Sequence, residues 1–400
     1  MFETVFPHHL VWHEGGQIPG YKETEDMSEG YAKHSRPEDE VKKKRPVRRA
    51  LKVSGLLVLV VIVLFAMLIG FLSVTEYKPV DSEKIAVKGE AGEKLAPGDD
   101  LTVMSWNIGY GALGDNADFF MDGGKSVNTA DEERVQSNME GVIEETNALN
   151  PDIILFQETD KDSSRSHHIN EYTMLQDTYQ EYCSSFANNF KVAFLPYPWP
   201  PMGKVNSGIA TFSSYPVSEA ERIQLPIPFS WPVRMANLKR CVLISRIPLK
   251  NSDKELVLIN LHLEAYDDGE GKKAQTEMLR EIMQAEREKG NYVIAGGDFN
   301  QTFSSADISS YVTKPDNWQA GMLETSEFGK GWQFLMNEKV PSCRSLIEPY
   351  ADADKKDFQY YLIDGFIVSD NIKVSSIENQ DLGFVVSDHN PVLLKLQLVK

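Results

Sequence analysis

The run from Val53 to Val74 constrains this chain more than any other stretch: it holds 22 residues, none charged, and is dominated by Leu, Val and Ile. A helix needs ~20 apolar residues to cross the hydrocarbon core of a bilayer. A helix in the core of a soluble domain keeps a charged or polar face for water, and this run has no charge to offer. Lys42, Lys43, Lys44, Arg45, Arg48, Arg49 and Lys52 stand immediately before it. A cleaved signal peptide has a short n-region and a small-residue cleavage site. Here about 50 residues precede the apolar run, and Phe71-Leu72-Ser73-Val74 offers no such site. The pattern predicts a single-pass signal anchor in the cell membrane. The basic cluster then stays in the cytoplasm, and everything after Glu76 lies outside.

That anchor divides the chain. Residues 1–50 read as a mostly disordered cytoplasmic tail ending in the basic cluster, with His8, His9 and His13 as solvated side chains. Residues 51–75 form the anchor. Residues 76–98, rich in Pro, Gly, Lys and Glu and without an apolar period, read as a linker or stalk. Residues 99–400 carry apolar runs to the end and read as one large outer domain. Charge follows this division. Up to Lys52 there are 10 basic and 9 acidic residues; from Glu76 on there are 31 basic and 50 acidic, a net of −19 within an overall −18. So acidic a surface weakens any case for non-specific polyanion binding, although it leaves room for a locally basic cleft. Cys183, Cys241 and Cys343 have no C-x-x-C spacing, suggest no zinc site, and read as small buried residues.

Within the outer domain strands and helices alternate. Leu101 to Ile108 predicts a strand with Val103, Ser105 and Asn107 on one face. Thr129-Ala130-Asp131-Glu132 resembles a capping box, and Val135, Met139, Val142, Ile143, Thr146 and Leu149 follow at helical spacing up to Asn150-Pro151. Asp152 to Glu158 predicts a strand with Ile154, Phe156 and Glu158 sharing a face. Ser207 to Phe212 reads as a short strand, and Arg240 to Ile247 with Glu255 to Leu263 as a strand pair. Lys272 to Lys289 predicts a helix with Ala274, Met278, Ile282 and Met283 inward. Tyr292 to Ala295, Asp364 to Val368 and Val392 to Leu398 complete the strands.

Polar residues able to do chemistry lie at the ends of these strands: Asn107, Glu158, His262, Asp298 with Asn300, Asp364, and Asp388 with His389. Asp298 and Asn300, two apart after an apolar run, share a side of an extended segment, with Gly296 and Gly297 keeping the approach uncrowded. A single Asp or Asn after a strand is ordinary turn chemistry. Seven such strand ends in one domain, all bearing ligand, base or oxyanion residue types, make chance a weak account.

In the stretches Ser105-Trp106-Asn107-Ile108, Phe156-Gln157-Glu158, Ser207-Gly208-Ile209-Ala210-Thr211, Asn260-Leu261-His262-Leu263, Gly297-Asp298-Phe299-Asn300, Ile363-Asp364-Gly365-Phe366 and Ser387-Asp388-His389-Asn390-Pro391-Val392, in that order, the chain resembles the endonuclease/exonuclease/phosphatase superfamily. The resemblance implies an α+β fold: a four-layer αββα sandwich of two mostly antiparallel sheets, here preceded by a single transmembrane helix. It also implies a Mg²⁺-dependent phosphoester hydrolase of phosphodiesterase or nuclease type, with Mn²⁺ as a substitute. Glu158 would be the main metal ligand, with Asn107 and Asp388 helping to hold the ion or its waters, as suits a hard cation. Asp298 and Asn300 would orient the attacking water and the phosphate. His389, oriented by Asp364, would contact the phosphoryl group or act as general acid/base, and His262 would donate to the phosphoryl oxygen. Arg240 occupies a place where some family nucleases keep a phosphate-binding Arg.

Gly365-Phe366 stands where the family more often has Tyr and an aliphatic residue, and Lys273 near Gln275 departs from the usual Arg-x-x-Gln. His167 and His168, on a loop past Glu158, are candidate substrate contacts. The loops Tyr197-Pro198-Trp199-Pro200-Pro201 and Pro228-Phe229-Ser230-Trp231-Pro232 suit stacking on bases, dipping into lipid, or packing on one another. Lys204, Arg234 and Arg344 are candidates for a basic rim. The expected partners are the membrane, through residues 53–74, and a phosphoester: nucleic acid, phospholipid or a small phosphate ester. The chain is expected to act as a monomer. Phospholipid or small inositol-phosphate-like hydrolysis is the alternative activity, and a catalytically silent membrane-displayed binding module the rival from another class.

Overall fold

Apolar residues alternating with partners on two faces build two sheets, and the computed structural model of the chain describes them within residues 37–267, 269–315 and 317–399. The tail reading for residues 1–36, His8, His9 and His13 included, lies outside the described residues. One sheet runs in the order β1 (Ser82–Ile85), β6 (Glu219–Gln224), β7 (Cys241–Pro248), β8 (Glu255–His262), β9 (Tyr292–Asp298), β11 (Asp364–Ser369), β10 (Trp332–Leu335). The other runs β12 (Ile372–Asn379), β13 (Val392–Leu398), β2 (Asp100–Asn107), β3 (Ile153–Asp160), β5 (Gly203–Ser213), β4 (Cys183–Leu195). Neighbours are antiparallel except β2 with β3 and β8 with β9. Each parallel pair needs a crossover, and each gets a helix. These are α2 (Glu132–Leu149) and α4 (Glu270–Glu288); the long N-terminal helix is α1 (Pro37–Thr75) and the short α3 spans Glu171–Thr178.

The two-residue period sorts the side chains into layers. Leu101, Val103, Ile153 and Leu155 of one sheet meet Leu256, Leu258, Ile294, Phe366 and Val368 of the other. The opposite faces are covered: Ile154, Phe156 and Met104 by Met139 and Val142 of α2 and Leu175 of α3, and Val257, Ile259 and Val293 by Leu279 and Met283 of α4. The fold is therefore the expected α+β sandwich, with layers in the order αββα.

Several local readings change. The α2 cap is Asp131, whose side chain accepts from the Arg134 N–H at 2.8 Å, while Thr129 instead donates to the Ala112 carbonyl. The buried face of α4 is Gln275, Thr276, Leu279, Met283 and Glu286, and Ala274, Met278 and Ile282 are only partly covered. Buried Gln275 is satisfied there, accepting from Glu264 N and donating to Pro226 O. Residues 76–98 are not a free stalk: β1 pairs with β6 along the sheet edge, and Leu95 is fully buried in the central core. The Ser207 strand is far longer than expected and pairs with β4, which the sequence reading left out. The three cysteines are free and buried, as expected.

The helix α1 begins at Pro37, so the basic cluster lies on it and not in an irregular tail. From Val47 to Thr75 it is long and apolar enough to cross a membrane. The chain divides within this helix, after Phe65, and residues 66–400 form one body.

Candidate active site

Strand alternation brings the predicted residues to one edge of the space between the sheets. On β2, Val103 faces that space, and so therefore do Ser105 and Asn107. On β8, β9 and β11 the residues Leu258, Ile294 and Phe366 face it, which sends His262, Asp298 and Asp364 the same way. The register lays those three side by side: His262 lies opposite Asp298, and Asp298 opposite Asp364. The loop entering β13 supplies Asp388 and His389 and is stitched to β2 on both sides. Ser387 Oγ donates to the Asn107 carbonyl at 2.8 Å, and the buried Trp106 Nε1 donates to the His389 carbonyl at 2.8 Å.

Glu158 arrives differently. Simple alternation puts it with Ile154 and Phe156, facing α2. In the structure Glu158 has φ +53°, and the β3–β5 register slips between Phe156 and Thr159. This bulge re-aims the carboxylate toward Asn107, whose Nδ2 donates to Glu158 Oε1 at 3.4 Å. Below it Gln157 bridges the sheets, donating to Asn260 Oδ1 at 2.9 Å, and Asn260 donates to the carbonyls of Phe156 and Ala210. Above it Asp160 is held by Arg165 through two hydrogen bonds of 3.1 and 3.0 Å and by Ser166 Oγ, while its N–H donates to buried Glu171. The Arg165 guanidinium lies 3.5 Å over the Tyr110 ring. Glu158 is thus clamped from both sides by residues with no catalytic signature of their own.

The site is a short-range network. Asn107 Nδ2 also donates to Asp298 Oδ2 at 3.0 Å, and its Oδ1 accepts from Gly109 N–H. His389 Nδ1 shares a 2.8 Å hydrogen bond with Asp364 Oδ2, and its Nε2 lies 3.9 Å from Asp298 and 4.0 Å from Asp388. His262 Nε2 stands 3.4 Å from Asp298 and 3.9 Å from Glu158. Asn300, at φ +50°, donates from Nδ2 to the Leu263 carbonyl and from its N–H to Asp298 Oδ1. Arg240 is buried beside Glu264, 3.9 Å away, with Nε and one terminal nitrogen lacking a hydrogen-bond partner among the described residues.

The protonation states divide the residues into roles. Burial, reinforced by Asp364, pushes the Asp298 carboxyl up to about 7. Burial pushes Asp388 up to about 6 against the pull of His389 and Arg344. Burial drives His262 well below the ordinary imidazole range, with the positive Arg240 adding to it. Burial acts the same way on His389 but is outweighed by Asp364, so this ring is held well above the usual range. The site therefore pairs one neutral imidazole with one charged one.

The donors fit a hard divalent cation. Among the described residues Asp388 Oδ1 and Asp364 Oδ1 are buried without a partner, and the Asp298 and Asp388 carboxyls resist ionisation as they stand. A cation placed among them removes both penalties. Two triads, Asp298–Asp364–His389 and Cys343–Asp388–His389, each bring one ligand atom per residue within 4.8 Å. In the first, Asp364 holds the His389 ring protonated, so it has no lone pair to give a cation. In the second, burial pushes the Cys343 thiol up, so it stays protonated. Glu158 and Asp388, with hard oxygens, are the better donors. Asn107 presents its amide nitrogen to Glu158 and Asp298 and its oxygen to Gly109.

The basic rim is smaller than expected. Arg344 is buried and holds the carbonyls of Gly114, Ala117 and Ser345; Lys204 pairs with exposed Asp162; Arg234 pairs with Glu76. His167 Nε2 donates to the Ala130 carbonyl and His168 sits against Asp162. Sequence reasoning missed the pair at the edge of the site, where Tyr266 OH donates to Asp122 at 3.0 Å. Burial pushes Asp122 to about 7 although Tyr266 opposes it, and Asp388 and Glu158 add to the rise. The two residues stand 144 positions apart and neither ends a predicted strand, so the sequence carried no signal for their pairing.

The sequence model described as "Endonuclease/Exonuclease/phosphatase family" matches residues 104–389. No curated protein matches the chain. Among solved structures, an endonuclease/exonuclease/phosphatase from Beutenbergia cavernae DSM 12333 is similar at 17% identity and a TM-score of 0.51, covering 75% of this chain and 72% of that one. An endonuclease/exonuclease/phosphatase from Bacteroides vulgatus is similar at 16% identity and a TM-score of 0.48, covering 75% and 99%. The human Nocturnin catalytic domain with bound sulfate is similar at 16% identity and a TM-score of 0.46, covering 79% and 97%. The match from 104 to 389 takes in every strand end that carries the site from Asn107 to His389, and the chain belongs to the endonuclease/exonuclease/phosphatase family of phosphoester hydrolases.

Proposed function

We propose that this protein is a Mg²⁺-dependent phosphodiesterase of nuclease type, able to use Mn²⁺, carried as a monomer on a single-pass anchor with its catalytic domain outside the cell membrane. The observation that carries the chemistry is the row His262–Asp298–Asp364 facing Asn107 and Glu158, closed by the His389–Asp364 hydrogen bond of 2.8 Å. Glu158 and Asp388 would hold the cation, with Asn107 beside them. When bound, the ion supplies Lewis acidity to the phosphoryl oxygens and lowers the pKa of water.

The chain's own groups do the rest. Asp298, raised toward neutrality and fixed by Asn107 and the Asn300 N–H, accepts a proton from the attacking water. The water oxygen forms a bond to phosphorus as the opposite ester bond breaks, and the departing oxygen keeps the electron pair. His389, charged and anchored on Asp364, donates to the phosphoryl group; neutral His262 offers an N–H to an oxygen that gains charge. The unpartnered N–H groups of Arg240 suit a phosphate oxygen nearby.

Anchoring is supported by the length and composition of Val47–Thr75 and by the basic residues at its start. Protease treatment of whole cells tests the topology: cleavage confined to the tail before Lys42 would overturn it. The activity test is hydrolysis by the full chain in detergent, with Mg²⁺, Mn²⁺ or EDTA, beside His389→Ala and Asp298→Ala. Plasmid DNA, RNA, sphingomyelin, inositol phosphates and bis-(p-nitrophenyl) phosphate form the panel. Metal-dependent turnover lost in both variants is expected. Silence across the panel would bring forward the binding-module reading.

A further inference from the structure

The end of the apolar stretch is not loosely tied to the domain. Ser73 Oγ donates to Met235 Sδ at 3.0 Å, and Leu72 is buried. Two residues after the last apolar one, the Glu76 carboxylate is almost fully enclosed and pairs with Arg234 at 3.2 Å and Lys239 at 3.6 Å. Residues 72–76 are therefore pinned onto the segment Arg234–Lys239. That segment is continuous with the aromatic loop before it, where Trp231 and Val233 are 58% and 57% exposed.

The second aromatic loop lies next to the first. Ala236 and Leu238 pack with Val192, Leu195, Met202 and Val205, the residues that flank the β4–β5 turn. On that turn Tyr197 is 63% exposed and Trp199 87%. The aromatic rings of the two loops do not pair among the described residues: the Tyr197 ring meets Phe120 edge-on, and neither Trp199 nor Trp231 has a ring neighbour or an acceptor for its indole N–H. Two exposed indoles are costly in water and favoured at a bilayer surface, where the ring is buried and the N–H stays wet. Phe120 leads to Asp122, so the collar continues into one wall of the site.

Resting on the anchor reading above, we propose that the loops 196–201 and 227–233 form an interfacial collar seated in the headgroup layer of the same membrane the anchor crosses. The occupant is the lipid surface itself. Chain continuity fixes where it lies: the segment touching Ser73 and Glu76 stands at the level at which the apolar run ends. Arg234 and Lys78, cationic residues beside Glu76, suit that level as well.

The test reconstitutes the full chain into phosphatidylcholine vesicles or into vesicles of its chain-brominated analogue, beside Trp199→Phe/Trp231→Phe. Val53 to Val74 contains no Trp, and the other indoles cancel in the difference spectrum between wild type and variant. The expected result is a blue-shifted difference spectrum, mostly lost in brominated lipid and shielded from aqueous iodide. The variant should keep its melting temperature and its turnover of a soluble ester, because both rings are exposed and neither has a ring partner or a hydrogen bond among the described residues. Retention in vesicles after alkaline carbonate reads the anchor separately. A chain that is retained while both indoles stay open to iodide and unquenched by bromine overturns the collar alone. A chain stripped by carbonate overturns the anchor and the collar together.

Discussion

Replacing Asp364 by Asn isolates the His389–Asp364 pair. The amide keeps the volume of a residue that is 1% exposed, and the Asp364 N–H still donates to Ser342 Oγ at 3.0 Å. What changes is the atom facing His389 Nδ1 at 2.8 Å. An amide carbonyl carries no charge to hold the imidazolium, and an amide nitrogen there forces Nδ1 to accept and moves the ring proton to the wrong nitrogen. Loss of a positioned acid/base partner costs ~10²–10⁴ in kcat, about 3–5 kcal/mol of barrier. Stability should change little, with Tm within about 5 °C of wild type, because shape and backbone bonds are kept. The assay is kcat of the full chain in detergent for bis-(p-nitrophenyl) phosphate in Mg²⁺, with Tm followed alongside. The double variant with His389→Ala should be about as slow as the worse single variant, since the two residues act as one unit. A kcat within about threefold of wild type, or losses that multiply in the double variant, would refute the pairing.

Other residues make separate predictions. Gly297→Ala should cost about 3 kcal/mol or more and take activity with it, read as Tm and soluble yield: at φ +150° an added Cβ would lie 2.0 Å from the Leu261 carbonyl and part β8 from β9. Burial raises Glu286, but hydrogen bonds from Arg246, Lys289 and Asn291 outweigh it and hold the carboxyl at about 2. Glu286→Gln should therefore be destabilised by about 1.5–3 kcal/mol at neutral pH in urea titrations. Because the folded value is depressed, that gap is full above about pH 5, clear of the ordinary Glu value, and closes as pH falls toward about 2. Arg165→Leu leaves buried Asp160 without its bidentate partner and should cost about 3–5 kcal/mol, with much of it restored by adding Asp160→Asn.

The strand ends were legible because each chemical residue follows an apolar run whose alternation decides its face: Asn107 after Val103, His262 after Leu258, Asp298 after Ile294. Glu158 was legible in identity but not in direction. Its left-handed backbone depends on Gln157 reaching Asn260, 103 residues away, and on Asp160 being gripped by Arg165, which no local period encodes. The strand β4 went unseen because Ser184, Ser185, Asn188, Asn189 and Lys191 interrupt its apolar pattern. The buried serines and Asn188 are paired in the fold, as with Ser184 and Tyr172, Ser185 and Ser245, or Asn188 and Asn206. The inward face of α4 was misjudged for the same reason: Gln275 and Glu286 are buried because partners from distant segments satisfy them. Arg344 looked like a rim cation and is instead a buried brace for the loop around Gly114. In each case a polar residue went inside because tertiary hydrogen bonds offset its desolvation.

Uptake of Mn²⁺ tests the cation site most directly, since it needs no knowledge of the substrate. Free Mn²⁺ is followed by paramagnetic resonance while it is titrated into the full chain in detergent, beside Glu158→Gln. Saturable binding by the wild type, weakened ~10-fold or more in Glu158→Gln, is the predicted result. No uptake by the wild type, or equal uptake by both proteins, would contradict a metal centre built on Glu158 and Asp388.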